Sequence, residues 1–259
     1  MTIRHPEYGA ARIALELKLK LGVEHAESTI DHYRVRGPRD PDGSQKWRTF
    51  LKNNTDAIWT ADFFNQFTVG LRTLCVFVIM HLGTRKVVQF GITEHPTLDW
   101  TKQQIRYAAF DSERPKFLVH DNDGRYGQLG QTVRVFNDSK GKAHSCRSSL
   151  AVWLWQTMDI RSVPTPYGAP DAAAHIERFI GTLRRECLDH LLIWNQRQLH
   201  VVLSEFINGY YNRARVHQGI MGIPDPDPSL AEPKPAADVG HLVAYPVLGG
   251  LHHDYRLVA

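Results

Sequence analysis

Three apolar runs come one after another in this chain: Ile58-Trp-Thr-Ala-Asp-Phe-Phe64, Leu71 to His81, and Lys86 to Thr93. Their aromatic and β-branched residues favour strands, and only short turns such as Leu82-Gly-Thr-Arg85 separate them. Together they predict an antiparallel meander of three strands, the first over about 57–64. A helix capped by Asp99 and running to about Phe110 comes next, then a fourth apolar run from Lys116 to His120. A strand reached across a helix pairs parallel with an earlier one, so the fourth is expected beside the first. Ile160 to Val163, stopped by Pro164 and Pro166, reads as a short fifth strand.

Three acids stand in places that need a reason. Asp62 lies inside the first run, Asp121 closes the fourth, and Glu177 falls in the Ala-rich helical run Ala172 to Phe179. A carboxylate at a core edge is costly unless a partner or a metal ion compensates its charge. Singly, each has an ordinary reading as a capped strand end or a solvated helix position. Three oxygen-donor side chains from three separate elements are also what a hard divalent cation requires. Asp123 and Glu186 are the alternatives to Asp121 and Glu177. Strand alternation favours Asp121, and Glu186 would face elsewhere on its helix. His120, beside Asp121, reads as a core histidine supporting the site.

Composition narrows the class. The 259 residues carry 31 Lys and Arg against 27 acids, a net charge of +4, with a sequence pI of about 9.0. That is a mild bias toward polyanions such as nucleic acid. Cys75, Cys146 and Cys187 lie far apart, so neither a disulfide framework nor a zinc finger is expected. No run is long enough to cross a bilayer and no signal peptide opens the chain, so a reducing cytoplasm is the expected compartment.

Residues 1–36 carry strong helix formers. The alternation of Ile13, Leu15, Leu17, Leu19 and Leu21 pulls toward a strand, while Gly22 suits a helix C-terminus. A second short helix over about 26–33, followed by Arg34, Arg36 and Arg39, would make a partial helix-turn-helix or a basic helical appendage. Residues 37–52 read as a linker, 53–220 as the main domain, and 221–259 as a loosely structured Pro-rich tail. Two amphipathic helices are expected late in the main domain. One buries Ile176, Phe179, Ile180, Leu183 and Cys187; the other, over about 199–211, buries Leu199, Leu203, Phe206 and Ile207.

The residues around the three acids resemble the acidic motifs of DDE transposases and retroviral-type integrases. The matching stretches are Trp59-Thr-Ala-Asp62-Phe-Phe, His120-Asp121-Asn-Asp-Gly, and Thr165-Pro-x-x-Ala-Pro170 leading to Ala174-His-Ile-Glu177-Arg178-Phe. Leu82-Gly-Thr-Arg85, Arg184-Arg-Glu-Cys-Leu-Asp-His190, Tyr211-Asn-Arg-Ala-Arg-x-His217 and Gly250-Leu-His-His-Asp-Tyr255 are similar to bacterial insertion-sequence transposases of the integrase-core type. The resemblance covers about residues 47–256. Residues 8–33 resemble the later part of the helix-turn-helix that precedes such cores, the earlier part being absent. The 56 positions between Asp121 and Glu177 exceed the family's usual spacing. An insertion over about 127–159 is therefore expected.

The resemblance implies an α/β fold: an RNase H-like mixed five-stranded sheet, three strands in an antiparallel meander and two parallel, flanked by helices. It implies a DNA transposase or integrase that cuts and joins phosphodiesters with Mg²⁺, Mn²⁺ substituting. Asp62, Asp121 and Glu177 would be the catalytic metal ligands. Arg178, Arg184, Arg185, Arg213 and Arg215 would contact DNA, and Gly181 would let a phosphate backbone approach. The implied partners are element ends, target DNA and further copies of the chain on DNA, with no membrane, in a bacterial nucleoid-associated setting. A nuclease of the same fold without strand transfer, or a catalytically idle DNA-binding relic, are the alternatives.

Overall fold

The computed structural model describes residues 10–33, 41–121, 126, 134–137, 143–146, 149–165, 173–226 and 241–258. The chain divides into two compact units, Met1–Lys46 and Trp47–Ala259. In the first, helix α1 (Ala10–Leu21) is followed by α2 (Glu27–Tyr33). Helix propensity prevails over the leucine alternation. Gly22 ends α1 in the left-handed region at φ 65°, where a residue without Cβ is unstrained. Ile13 and Ile30 are the buried apolar side chains described here. Arg34, Arg36 and Arg39 lie outside the described residues.

Helix α3 (Pro41–Asn53) occupies most of the stretch whose composition reads as a linker. Pro is tolerated in a first helical turn, where its missing N–H would be unpaired anyway. The end of α3 then has an apolar purpose. Trp47, Phe50 and Leu51 pack on Ile58, Leu82 and Val119 at the sheet margin.

The sheet is formed by β1 (Ile58–Phe67), β2 (Thr73–His81), β3 (Val87–Thr93), β4 (Phe117–His120) and β7 (Arg161–Pro164). Its strand order is β3-β2-β1-β4-β7. β1, β2 and β3 pair antiparallel, and β4 and β7 add parallel on the other side. This is the mixed five-stranded sheet expected. Helix α4 (Leu98–Asp111) makes the crossover from β3 to β4. Its cap is Thr97 and not Asp99, the Thr97 side chain accepting from Trp100 N at 3.2 Å. The Thr97 hydroxyl, two residues earlier, takes an otherwise unpaired amide of the first turn, and the Asp99 carboxylate pairs with Lys102 at 3.0 Å instead.

Strand alternation sorts the core into two layers. Phe64, Val76, Val78 and Met80 face a layer holding Ile176, Phe179 and Leu183 of α6 (Ala174–Glu186) and Leu199 and Leu203 of α7 (Gln196–Ser204). Trp59, Ala61, Phe63, Phe77 and Ile79 face the other, with Ile105 and Ala108 of α4 and Leu150 and Leu154 of α5 (Ser149–Met158). Between β4 and α5, strands β5 (Arg134–Asn137) and β6 (Ala143–Cys146) pair with each other and lie outside the five-stranded sheet. Helix α5 itself contributes to the core. Cys75 and Cys187 are buried, and burial pushes the Cys187 thiol up to about 12.

β3 meets α4 closely at Gly91. A Cβ there would lie 2.5 Å from Gln104 Oε1 and 2.9 Å from the Trp100 ring. Gly91→Ala is expected to cost about 1–3 kcal/mol through overpacking, read as a fall of several degrees in Tm. An unchanged Tm would show that α4 can shift.

Two further features differ from the sequence reading. The second late helix begins at Gln196, capped by Asn195, and widens into a π-helical stretch over Glu205–Tyr211. The stretch read as a loose tail contains a hairpin, β8 (His241–Val247) with β9 (His252–Val258). Pro246 and the many polar residues hide its alternation. The signal that could have revealed it is Gly249-Gly250, which turns the chain at φ 65° and 97°. His252 anchors the hairpin, its Nε2 lying 2.6 Å from Glu186 O and its ring stacking on Tyr210 at 4.4 Å.

Candidate active site

Register decides where Asp62 points. It pairs with Val78 across β1 and β2 and shares parity with Phe64, so it lies on the face that α6 covers. β1 and β4 run parallel with Ala61 opposite His120. One step further along both strands come Asp62 and Asp121. On α6, Ile176 is buried in the same layer, and its neighbour Glu177 is exposed at the edge. All three carboxylates line one cleft of about 70 Å³, with Thr60, Thr165 and Ala173 among its other walls. Thr165 is held there by its backbone N–H donating to His120 O at 2.8 Å.

Asp62 is half-buried, and its Oδ1 accepts from Phe63 N at 2.7 Å. Asp121 is half-buried as well. Behind it, His120 Nδ1 lies 2.6 Å from Asp121 O and Nε2 2.7 Å from Ser162 Oγ. Its ring packs on Tyr126 at 4.3 Å. Burial lowers its pKa, partly offset by the Asp121 backbone and charge. A neutral ring donating to the carbonyl and accepting from the serine satisfies both contacts. His120 therefore braces the backbone at Asp121 and lines the cleft as a core residue.

The donor set is all oxygen, which suits Mg²⁺ or Mn²⁺. Among the described residues, no three His, Cys, Asp or Glu side chains are gathered closely enough to enclose an ion. The arrangement is an open cleft, and water and substrate oxygens would have to complete a shell.

Of the alternatives, Asp123 lies outside the described residues. Glu186 is committed elsewhere, accepting from Arg215 Nε at 2.9 Å and Nη2 at 2.7 Å. Arg184 and Arg185 are exposed on α6. Arg184 donates to Asn65 O at 3.1 Å and lies over the Phe64 ring, so it is tied to the end of β1. The guanidinium of Arg185 folds over Gly181, with Nη1 3.1 Å from where a Cβ would sit. The space above Gly181 thus holds an arginine of the same helix. Arg178 and Arg213 are exposed, and Arg215 is half-buried against Glu186.

Sequence reasoning missed what Asn212 does. It is 3% exposed, and its side chain both accepts from Val87 N at 3.0 Å and donates to Val87 O at 2.9 Å. The polar residue directly after Tyr211, at the head of the Tyr211 to His217 motif, is the signal that could have found it.

The family model for the integrase core domain matches residues 158–224. The resemblance read from the sequence is borne out over that stretch, which takes in Glu177 and the five arginines and leaves Asp62 and Asp121 outside. An uncharacterized 31 kDa protein of insertion element IS600 from Shigella sonnei is 23% identical over 176 residues, 68% of this chain. The chain spans 58% of that relative's length. The integrase catalytic core of HTLV-2, solved with magnesium, superposes with TM-score 0.45 and 14% identity over 65% of this chain and 93% of its own. The catalytic domain of Mos1 mariner transposase gives 0.47 and 12% over 65% and 79%. The fold assignment rests on sheet order and register. No helix among the described residues is long and apolar enough to cross a membrane.

Proposed function

We propose that this chain is a DNA transposase or integrase that cleaves a phosphodiester and joins the freed 3′-hydroxyl to target DNA. The observation that supports this best is that Asp62, Asp121 and Glu177, carried by β1, the end of β4 and α6, line one cleft. These three carboxylates would hold Mg²⁺, or Mn²⁺ in its place. Bound there, the cations would supply Lewis-acid stabilisation of the leaving oxygen and a nucleophile at neutral pH. The protein's own part is placement. β1 and β4 hold two carboxylates side by side through their ladder, α6 brings the third over the sheet edge, and the Ser162–His120–Asp121 contacts fix the strand end.

Labelled duplexes bearing the DNA ends that flank the gene, incubated with the protein and Mn²⁺ or Mg²⁺, test the proposal. Nicked and joined products that disappear with a chelator are expected. Nicking without joined product would reduce the activity to a nuclease, and no metal-dependent product of either kind would overturn it.

The exposed arginines of α6 would grip the backbone near the cleft. Converting Arg184 and Arg185 together to Ala is expected to weaken binding to all DNA sequences about equally. The slope of log affinity against log salt should fall by roughly one unit for each lost phosphate contact. An unchanged slope, with an unchanged melt, would mean that these arginines only solvate the helix.

A further inference from the structure

A second basic feature lies on the neighbouring face of α6. There a pocket of about 550 Å³ is lined by Arg85, His175, Arg178, Tyr211, Arg215 and His217 among others, and no carboxylate is among its described lining residues. Glu186, outside the pocket, compensates Arg215 through two hydrogen bonds. Among the described residues, nothing comparable serves Arg85. Its Nη1 is buried and meets no hydrogen-bond partner among the described residues, although a buried guanidinium N–H without an acceptor is costly. Burial lowers the pKa of Arg85; the nearby Tyr211 offsets part of this, and the nearby Arg178 adds to it.

The backbone has the same emphasis. Arg85 sits at φ 64° in the β2–β3 turn, a left-handed position where Gly or Asn would be easier. Across the pocket, the π-helical stretch Glu205–Tyr211 ends on Tyr211, and such bulges often mark functional positions. Asn212, the next residue, ties this wall to Val87, two residues beyond Arg85. A costly turn residue, an unsatisfied buried donor and a wall held by a cross-chain bridge all converge on one concavity of positive charge.

We propose that this pocket is a binding site for a phosphate group, with Arg85 as its principal donor and Arg178 and His217 beside it. The cleft takes Ala173, Ile176 and Glu177 of the α6 region, and the pocket takes His175, Arg178 and Phe179. A DNA strand with one phosphate in the cleft could therefore seat another here. That source rests on the DNA-processing reading. The alternative source is a free phosphate or a small phosphorylated molecule, which uses the same chemistry without that reading.

Arg85→Asn separates these cases, because Asn tolerates the left-handed backbone and lacks the guanidinium. Its melt without ligand, compared with wild type, shows whether the fold is kept, and Arg178→Gln on the exposed face of α6 is the second variant. Both are titrated with inorganic phosphate at constant ionic strength, following Tm, and with a labelled duplex at several salt concentrations. Neither readout requires cleavage, so a catalytically silent chain still tests the site. Phosphate is expected to raise the wild-type Tm and to leave Arg85→Asn unmoved. Duplex affinity should fall about tenfold in the variant, with the salt slope reduced by roughly one. Loss of the phosphate response with unchanged duplex binding supports the site and assigns it to a free phosphate. Loss of duplex affinity and slope without any phosphate response supports it with DNA as the source. Equal responses of wild type and both variants to phosphate and to duplex would overturn the proposal.

Discussion

Asp62→Asn is expected to abolish metal-dependent cleavage of DNA ends while the protein still folds and binds DNA. The substitution is nearly isosteric. Its side-chain oxygen can still accept from Phe63 N, as Asp62 Oδ1 does at 2.7 Å, and the pairing of residue 62 with Val78 is a backbone matter. What disappears is one of three negative charges in the cleft. A site that works by holding cations against developing charge should lose on the order of a thousandfold in rate when one ligand is neutralised. Binding should stay level or tighten slightly, because a carboxylate beside a phosphodiester repels it. Rate and affinity measured on the same duplex decide the matter. A variant that cuts at the wild-type rate would remove Asp62 from the chemistry. Parallel loss of cutting, binding and Tm would make it a folding residue.

The second large effect is expected outside the cleft. Asn212→Ala removes both hydrogen bonds to Val87, in a place where Asn212 is 3% exposed. It leaves the amide and carbonyl of the first residue of β3 without these partners. Two buried backbone groups left unsatisfied should cost about 3 kcal/mol, a fall in Tm of roughly 6–12 °C for a unit of this size. Asn212→Asp should also destabilise, since it keeps the acceptor and loses the donor. A Tm within a degree of wild type for Asn212→Ala would show that water replaces the side chain. The effect should exceed that of Gly91→Ala, where the neighbours can give by small shifts.

The origin of each feature explains how much could be read beforehand. Strands β1 to β4, their directions, and the helices α4 and α6 follow from local residue type and period. Each element buries apolar side chains on its own pattern, and that pattern is written within about a dozen residues. The three carboxylates were visible for the same reason, as charges interrupting or closing apolar runs. The hairpin β8–β9 was not visible, because Pro246 and the polar residues break its alternation. Its place depends on His252 reaching Glu186 O and stacking on Tyr210.

Tertiary structure decided the rest. Which carboxylates share a cleft depends on the register of β1 against β4 and on the seating of α6, and neither is encoded in spacing. The pairing of Arg215 with Glu186, of Asn212 with Val87, and the crowding of Arg85 and Arg178 around one concavity join side chains from separate elements. Local sequence gives each of these residues an ordinary reading, as a solvated charge, a turn or a helix position. Only packing shows that, among the described residues, Arg215 is compensated by Glu186 while Arg85 Nη1 is not. Burial in a low dielectric then turns that difference into a free energy and a site.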